Sequence, residues 1–290
     1  MKTLWHYAAA MPFEPDLARY FDRIDCPCPP WPDLAGLNAI VFAHVCSIPF
    51  ESIDVLLGRP IDLDPARVEH KLLVERRGGY CFEQNTLLLH VLQALGYTVT
   101  PIAARVRLGR GRQEIPAKTH VFLRVEIDGE SWLADVGVGG FSLTSAIRLC
   151  LDEPQQTPHE TRRIQAEGSW QGVELRSPDA RLFHQVHVED AWHDICDFTL
   201  APMHEIDREL GNWYTSAHPR SHFKDRLMVA RGTPDGRKTL LNRRFTQRRA
   251  GREPEMIEVQ TPDELNALLE REFGIVVPGG ARIECAGLEW

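Results

Sequence analysis

The sequence lacks any long apolar segment. Its 290 residues contain no run of the roughly 18 to 20 uncharged apolar residues that a membrane-spanning helix requires. We also expect no secretory leader, because the segment Trp5–Phe13 does not have the organisation of a signal peptide. These absences predict a soluble protein with no membrane partner.

Cysteine is too sparse and too scattered for a disulfide framework. The seven cysteines are an odd number, as expected for a reducing compartment, so the sequence predicts a cytoplasmic location. Cys26 and Cys28 are closely spaced, but no second pair of Cys or His follows nearby, as structural zinc normally needs. We therefore expect no metal site.

An excess of basic charge is also missing. The formal net charge is −8 and the sequence pI is about 5.8, which argues against a broad contact with nucleic-acid phosphates. The basic residues between Arg243 and Arg249 are interpreted as an exposed strand or loop. Nucleic acid is therefore not expected as a partner.

The chain has neither internal repeats nor low-complexity segments, and it exceeds the roughly 100 to 200 residues of one domain. Helical periodicity dominates residues 1–97, strand alternation dominates residues 98–210, and residues 211–290 carry mixed signals. We therefore predict an α+β protein of three domains with these boundaries.

Three helix starts are predicted in the N-terminal third. Asp33 and Asp64 each stand where an N-cap is expected, and Pro65 follows the second of them in the first helical turn. The third helix begins directly at Cys81 and ends before Gly96, which suits a C-terminal cap. This arrangement predicts that the Cys81 sulfur lies at a helix N-terminus.

A β-hairpin is predicted in the middle third. Apolar residues alternate on both sides of Asp128 and Gly129, a strong signal for a two-residue turn. That turn would put His120 and Asp135 on one face of the hairpin as diagonal neighbours, close enough for an imidazole and a carboxylate to meet. A three-residue turn would put them on opposite faces.

Cys81, His120 and Asp135 form a candidate catalytic triad. The N–H groups and dipole at a helix start stabilise a thiolate, which makes Cys81 the candidate nucleophile. Asp135 would orient His120 and stabilise its imidazolium form, while the other ring nitrogen takes the thiol proton. Each residue alone has a commoner structural role, but the combination favours catalysis.

A glycine-rich loop, Val136–Gly140, follows the proposed acid. It is too short for a nucleotide-binding loop, and neither a Lys-Ser/Thr pair nor a helix start follows it. Close approach of its backbone to a substrate is our interpretation, and a plain turn is the alternative.

These motifs resemble those of the bacterial arylamine N-acetyltransferases. They occur in the family's order over most of the chain, and the combination is highly specific. The matching segments are Ile48–Asp54, Arg76–Glu83, Thr119–His120, Asp135–Gly139, Asn212–Tyr214, His218–Pro219 and Ser221–Phe223.

The resemblance implies a helical domain, a central β-barrel domain and a C-terminal α/β lid, with a triad arranged as in papain-like and transglutaminase-like enzymes. It further implies a ping-pong reaction through an acetyl thioester on Cys81. Acetyl-coenzyme A would be a co-substrate, with no tightly bound cofactor. An arylamine or hydrazine would be the acceptor, which would imply a role in xenobiotic metabolism.

The family's substrate-binding positions carry over to four residues of this chain. Phe50, Phe82 and Val138 would line the acceptor pocket, and Gly139 would lie near the pantetheine arm of the donor. The family often has an aromatic residue where Val138 stands, so the resemblance implies a roomier or differently selective pocket.

Several alternatives share the same residues. A cysteine hydrolase or a transglutaminase-like enzyme would use this triad to pass an acyl group to water or to a protein amine. An amide synthase on the same fold would be tuned to one acyl chain. A binding or scaffold protein would have lost the chemistry, which the intact triad disfavours.

Overall fold

A computed structural model describes residues 13–26, 32–167 and 181–290. Cys28 and most of the segment Trp5–Phe13 lie outside these ranges. The α-helices are α1 (Leu17–Arg23), α2 (Leu34–Ser47), α3 (Ile53–Leu56), α4 (Pro65–Glu69), α5 (Cys81–Ala94), α6 (Glu205–Ala217) and α7 (Pro262–Leu268). Helices α4 and α7 continue as π-helical turns, His70–Val74 and Leu269–Phe273. Shorter 3-10 turns are Gly139–Phe141, His222–Lys224 and Pro278–Gly280.

The strands form two sheets. They are β1 (Phe50–Glu51), β2 (Thr98–Val106), β3 (His120–Ile127), β4 (Glu130–Ala134), β5 (Ile147–Arg148), β6 (Gln155–Gln156), β7 (Thr161–Ala166), β8 (Leu182–Val188), β9 (Ala191–Pro202), β10 (Met228–Thr233), β11 (Gly236–Leu241), β12 (Arg244–Arg249) and β13 (Glu255–Glu258). An eight-stranded sheet has the order β5-β4-β3-β2-β9-β8-β7-β6, and a five-stranded sheet has the order β1-β10-β11-β12-β13. The fold class is therefore α+β, as predicted.

The predicted helix starts are confirmed. The Asp33 carboxylate accepts a hydrogen bond from the N–H of Gly36 at 2.7 Å, and Asp64 caps α4 in the same way. Helix α5 begins at Cys81, and Gly96 beyond its end has a φ of +91°, a conformation that favours glycine.

The predicted hairpin has the predicted register. Strands β3 and β4 pair Leu123 with Ala134 and Ile127 with Glu130, as a two-residue turn at Asp128 requires. Both edges of the eight-stranded sheet approach each other, since the Gln155 side chain in β6 bonds the backbone of Arg148 in β5. The sheet is therefore barrel-like.

Two parts of the fold differ from the sequence prediction. The N-terminal third is not wholly helical, because Phe50 and Glu51 form β1 and pair with Ala230 and Val229 of the C-terminal sheet. A two-residue strand is too short to show an alternating pattern. Helix α6 was also not predicted, since its sequence was noted only for its aromatic residues.

Three groups of buried side chains hold the elements together. The largest packs α1, α2 and α5 against the barrel-like sheet, and a second packs the five-stranded sheet against α7. A third group, which includes Tyr80, Cys81, Phe82 and Phe223, joins residues from all three parts of the chain. No helix among the described residues is long and apolar enough to cross a membrane.

Candidate active site

Cys81 occupies the first position of α5 and is 4% exposed. The Tyr80 N–H donates to the Glu83 carboxylate at 3.0 Å, which satisfies one backbone donor at the start of the helix. The Cys81 thiol donates to the carbonyl oxygen of Thr119 at 3.4 Å. Through this bond the sulfur contacts the residue just before β3.

His120 and Asp135 lie side by side beneath the surface. His120 Nε2 is 2.9 Å from Asp135 Oδ2, and the two residues are 1% and 0% exposed. Burial alone would lower the pKa of His120, but the Asp135 carboxylate and a hydrogen bond with Cys81 raise it to about 10. The raised pKa favours the protonated, imidazolium form of the ring.

The three predicted triad residues are brought together. The Cys81 side chain also interacts with the His120 imidazole, and this interaction is one of the causes of the raised pKa of that ring. Burial would raise the pKa of Asp135, but the imidazolium and two further donors lower it overall. A buried ion pair next to a thiol is an arrangement suited to nucleophilic catalysis.

Asn85 is a polar member of the site that sequence reasoning missed. Its amide nitrogen donates to Asp135 Oδ1 at 2.9 Å and to the Val121 carbonyl at 2.8 Å. Its amide oxygen accepts from the N–H of Val136 at 3.2 Å. Asn85 follows Cys81 by four positions and so shares its face of the helix, and this spacing was a signal available in the sequence.

Gly137 lets the loop after Asp135 approach the nucleophile helix. A Cβ atom at this position would lie 2.6 Å from the Cα of Cys81 and 2.8 Å from the amide nitrogen of Asn85. The Gly137 N–H also donates to Asp135 Oδ1 at 2.9 Å. The approach to a substrate expected from the sequence stays a prediction, and the close approach that the structure shows is to the backbone of Cys81.

A buried ion network supports the segment that leads to Cys81. Lys71 Nζ lies 2.6 Å from Glu83 and 2.7 Å from Asp54, and Arg77 Nε donates to Glu51 Oε1 at 3.0 Å. Such paired charges are costly to separate in a buried site. The network holds the backbone on both sides of Gly78 and Gly79, and it was not predicted because its ion pairs join Glu51 and Asp54 to a later segment of the chain.

The four predicted substrate-binding residues lie in two buried groups and in the turn that follows Asp135. Phe50 and Phe82 belong to the same buried group as Cys81, and Val138 is buried among the larger core residues. Gly139 has a φ of +77°, and its Cβ position would be 3.4 Å from the Phe50 ring. Three of the four are therefore packed close to the nucleophile or to one another.

Two cavities adjoin the site. One is small and is lined in part by Phe50, Val136 and Gly139. The other, of about 830 Å³, lies between the barrel-like sheet and α6, and Thr119 is part of its wall. Its remaining lining residues are Ala103, Ala117, Lys118, Ala201, Pro202, Met203, Asp207, Leu210, Gly211 and Tyr214.

No group of three or more His, Cys, Asp or Glu side chains in residues 13–26, 32–167 and 181–290 is arranged to hold a metal ion. The chemistry suggested by the described residues is that of a thiol, an imidazole and a carboxylate.

Comparison with known proteins identifies relatives over nearly the whole chain. A family described as N-acetyltransferase matches residues 33–282. The arylamine N-acetyltransferase of Mycolicibacterium smegmatis is 42% identical, over 90% of this chain and 92% of that protein. A Salmonella typhimurium protein named arylamine N-acetyltransferase / N-hydroxyarylamine O-acetyltransferase is 38% identical, over 90% and 89% respectively.

A solved structure is similar over the same extent. The arylamine N-acetyltransferase of Mycobacterium marinum in complex with CoA aligns with a TM-score of 0.83 and 35% sequence identity, over 92% of this chain and 95% of that one. The similarity therefore extends to the arrangement of all three parts of the fold.

Proposed function

The chain belongs to the arylamine N-acetyltransferase family and is an acyltransferase, and we propose that it acetylates arylamines and arylhydrazines through a thioester on Cys81. Acetyl-coenzyme A is the proposed donor, in keeping with the CoA complex of the related structure. The contact of Cys81 with a buried His120–Asp135 ion pair carries this proposal.

The first half-reaction transfers the acetyl group to the enzyme. The Cys81 thiol gives its proton to His120, and the resulting thiolate attacks the carbonyl carbon of the acetyl thioester to form a new carbon–sulfur bond. The bond from that carbon to the coenzyme A sulfur then breaks, and the departing sulfur takes the proton from His120. Asp135 favours this transfer because its carboxylate stabilises the imidazolium form of His120.

The second half-reaction releases the amide. The amine nitrogen attacks the acetyl carbon on Cys81, and His120, now neutral, accepts the proton that the nitrogen loses. The carbon–sulfur bond to Cys81 breaks, and the thiolate and the imidazolium return together. Each half-reaction exchanges one proton with the same ring, as a ping-pong reaction requires.

We propose that the acceptor ring lies against Phe50, Phe82 and Val138, with Gly139 near the pantetheine arm of the donor. The apolar character of this surface supports the assignment. The cavity next to Thr119 is the proposed route of substrate to the sulfur, because Thr119 both lines that cavity and contacts the thiol.

We further propose that residues 1–97, 98–210 and 211–290 are three domains, which agrees with one barrel-like sheet formed by strands between residues 98 and 202. Strand β1 crosses this division, and the boundary after residue 210 falls within α6. We also propose a cytoplasmic location and a role in xenobiotic metabolism, and the first is supported by the lack of disulfides among the described cysteines.

The test is release of coenzyme A with and without an amine. With acetyl-coenzyme A and an aniline, we expect continuous release that depends on the aniline and yields the acetylated product. Cys81→Ala should abolish release and leave the fold intact. Continuous release without an amine would show a hydrolase, and wild-type turnover by Cys81→Ala would refute the nucleophile assignment.

A further inference from the structure

Helix α6 contacts the residue just before the nucleophile. The Tyr80 hydroxyl donates to the side-chain oxygen of Asn212, and the Asn212 amide nitrogen donates to the carbonyl of Ile61 at 2.9 Å. Tyr80 is fully buried and Asn212 nearly so. Both halves of the Asn212 amide are therefore used, and its orientation is fixed.

The same helix contacts the residue just after the nucleophile. At Gly211 a Cβ atom would lie 2.6 Å from the Cζ atom of Phe82 and 3.4 Å from the carbonyl oxygen of Lys118. Glycine in a helix interior costs about 1 kcal/mol relative to alanine, so a packing reason for it is expected. Here the reason is the close approach of α6 to Phe82.

These contacts reach the residues next to Cys81 and His120 from a helix that lies more than 120 positions after Cys81 in the chain. Tyr80 and Phe82 flank Cys81, and Lys118 precedes Thr119, whose carbonyl accepts the Cys81 thiol. A shift of α6 would therefore act on the segments that carry the nucleophile and the base.

We propose that Gly211 and Asn212, here called the α6 clamp, are positioning residues that set the distance between the Cys81 sulfur and the His120 ring. This inference rests on the proposed function. The α6 clamp contacts neither of those two side chains and works through Tyr80 and Phe82. Its role is to speed acylation of Cys81, because a misplacement of about 1 Å can slow a reaction on the order of a hundredfold.

Tyr80→Phe removes the hydrogen bond from one side, and Asn212→Leu, whose side chain has the same branched shape, removes it from the other together with the bond to Ile61. We expect each to slow single-turnover acylation of Cys81 by about tenfold or more, with the donor KM changed less than twofold. The acylation rate of the double variant should lie within about twofold of the rate of the slower single variant, as expected for two residues in one interaction. Ile206→Ala is the control, because this exposed α6 side chain should leave the acylation rate unchanged.

A second pair of variants tests the contact with Phe82. Gly211→Ala should slow acylation because the new methyl group meets the Phe82 ring. Adding Phe82→Leu shortens that side chain, and the double variant should recover to within about threefold of Phe82→Leu alone. Acylation of the enzyme is the readout, since it does not depend on the acceptor that Phe82 is proposed to contact.

A purely structural role would lower the melting temperature without changing the acylation rate of the folded enzyme. Wild-type acylation rates in Tyr80→Phe and Asn212→Leu would therefore overturn the α6 clamp, as would a Gly211→Ala defect that Phe82→Leu does not relieve. If the wild-type enzyme is not acetylated on Cys81, the proposed function fails instead, so the two failures are distinguishable.

Discussion

Asn85→Ala tests how strongly the surroundings of Asp135 support the reaction, because Asn85 donates to Asp135 but contacts no substrate in the proposed reaction. The substitution removes three hydrogen bonds, to Asp135, Val121 and Val136. Asp135 keeps His120 and the Gly137 N–H as donors. The carboxylate would therefore remain paired but lose part of its stabilisation as an anion.

The magnitude follows from those bonds. A buried hydrogen bond to a charged group contributes about 1.5 to 3 kcal/mol, and the orphaned Val136 N–H and Val121 carbonyl add a further cost of about 1 to 3 kcal/mol each. We expect the free energy of unfolding to fall by roughly 3 to 5 kcal/mol after partial relaxation of the site. If the free energy of the bond to Asp135 is lost entirely from the transition state, acylation should slow by roughly 10- to 100-fold.

Urea unfolding and stopped-flow release of coenzyme A measure the two effects separately. Gln93→Ala is the matched control, because Gln93 lies on the exposed side of the same helix. If the free energy of unfolding of Asn85→Ala falls by less than about 1 kcal/mol and Cys81 is acylated at the wild-type rate, the three hydrogen bonds support neither the fold nor the acylation step.

Three other variants test other parts of the site. Gly137→Ala should slow turnover by more than about a hundredfold, because its Cβ atom would lie 2.6 Å from the Cα of the nucleophile, and turnover within twofold of wild type would contradict this close approach. Arg77→Met leaves the buried Glu51 carboxylate without the cation of this ion pair. It should lower the free energy of unfolding by about 3 to 5 kcal/mol, and an unchanged midpoint and slope in urea titration would contradict this. The pKa of His120 is raised from 6.5 in the unfolded chain to about 10 in the folded protein. The protonated ring therefore contributes its full stabilisation below pH 6.5, and this contribution is lost as the pH rises through about 10. The stability difference between wild type and His120→Gln should therefore shrink between pH 7 and pH 10, and a constant difference would refute the protonated state.

Local patterns in the sequence were enough to predict that His120 and Asp135 lie side by side. A two-residue turn allows one register only, so the pairing of Leu123 with Ala134 followed from Asp128 and Gly129. The start of α5 at Cys81 followed equally from the glycines before it and the apolar stripe after it. Both predictions depend on interactions between near neighbours in the chain.

The parts that were not predicted depend on contacts between distant segments. Glu51 and Arg77 are 26 positions apart, and Tyr80 and Asn212 are 132 positions apart. No periodicity connects such residues, because their meeting is decided by how the helices and sheets pack together. Strand β1 escaped prediction for the same reason, since it exists only through its pairing with β10.

In the proposed reaction the acetyl group is bound to the sulfur of Cys81 between the two half-reactions. Mass spectrometry of peptides from enzyme mixed with acetyl-coenzyme A, without an amine and quenched in acid, tests this directly. We predict one acetyl group on the peptide that contains Cys81, lost when an arylamine is added before the quench. An acetyl group on another residue would contradict transfer through Cys81. So would an enzyme that carries no acetyl group but still acetylates an added amine.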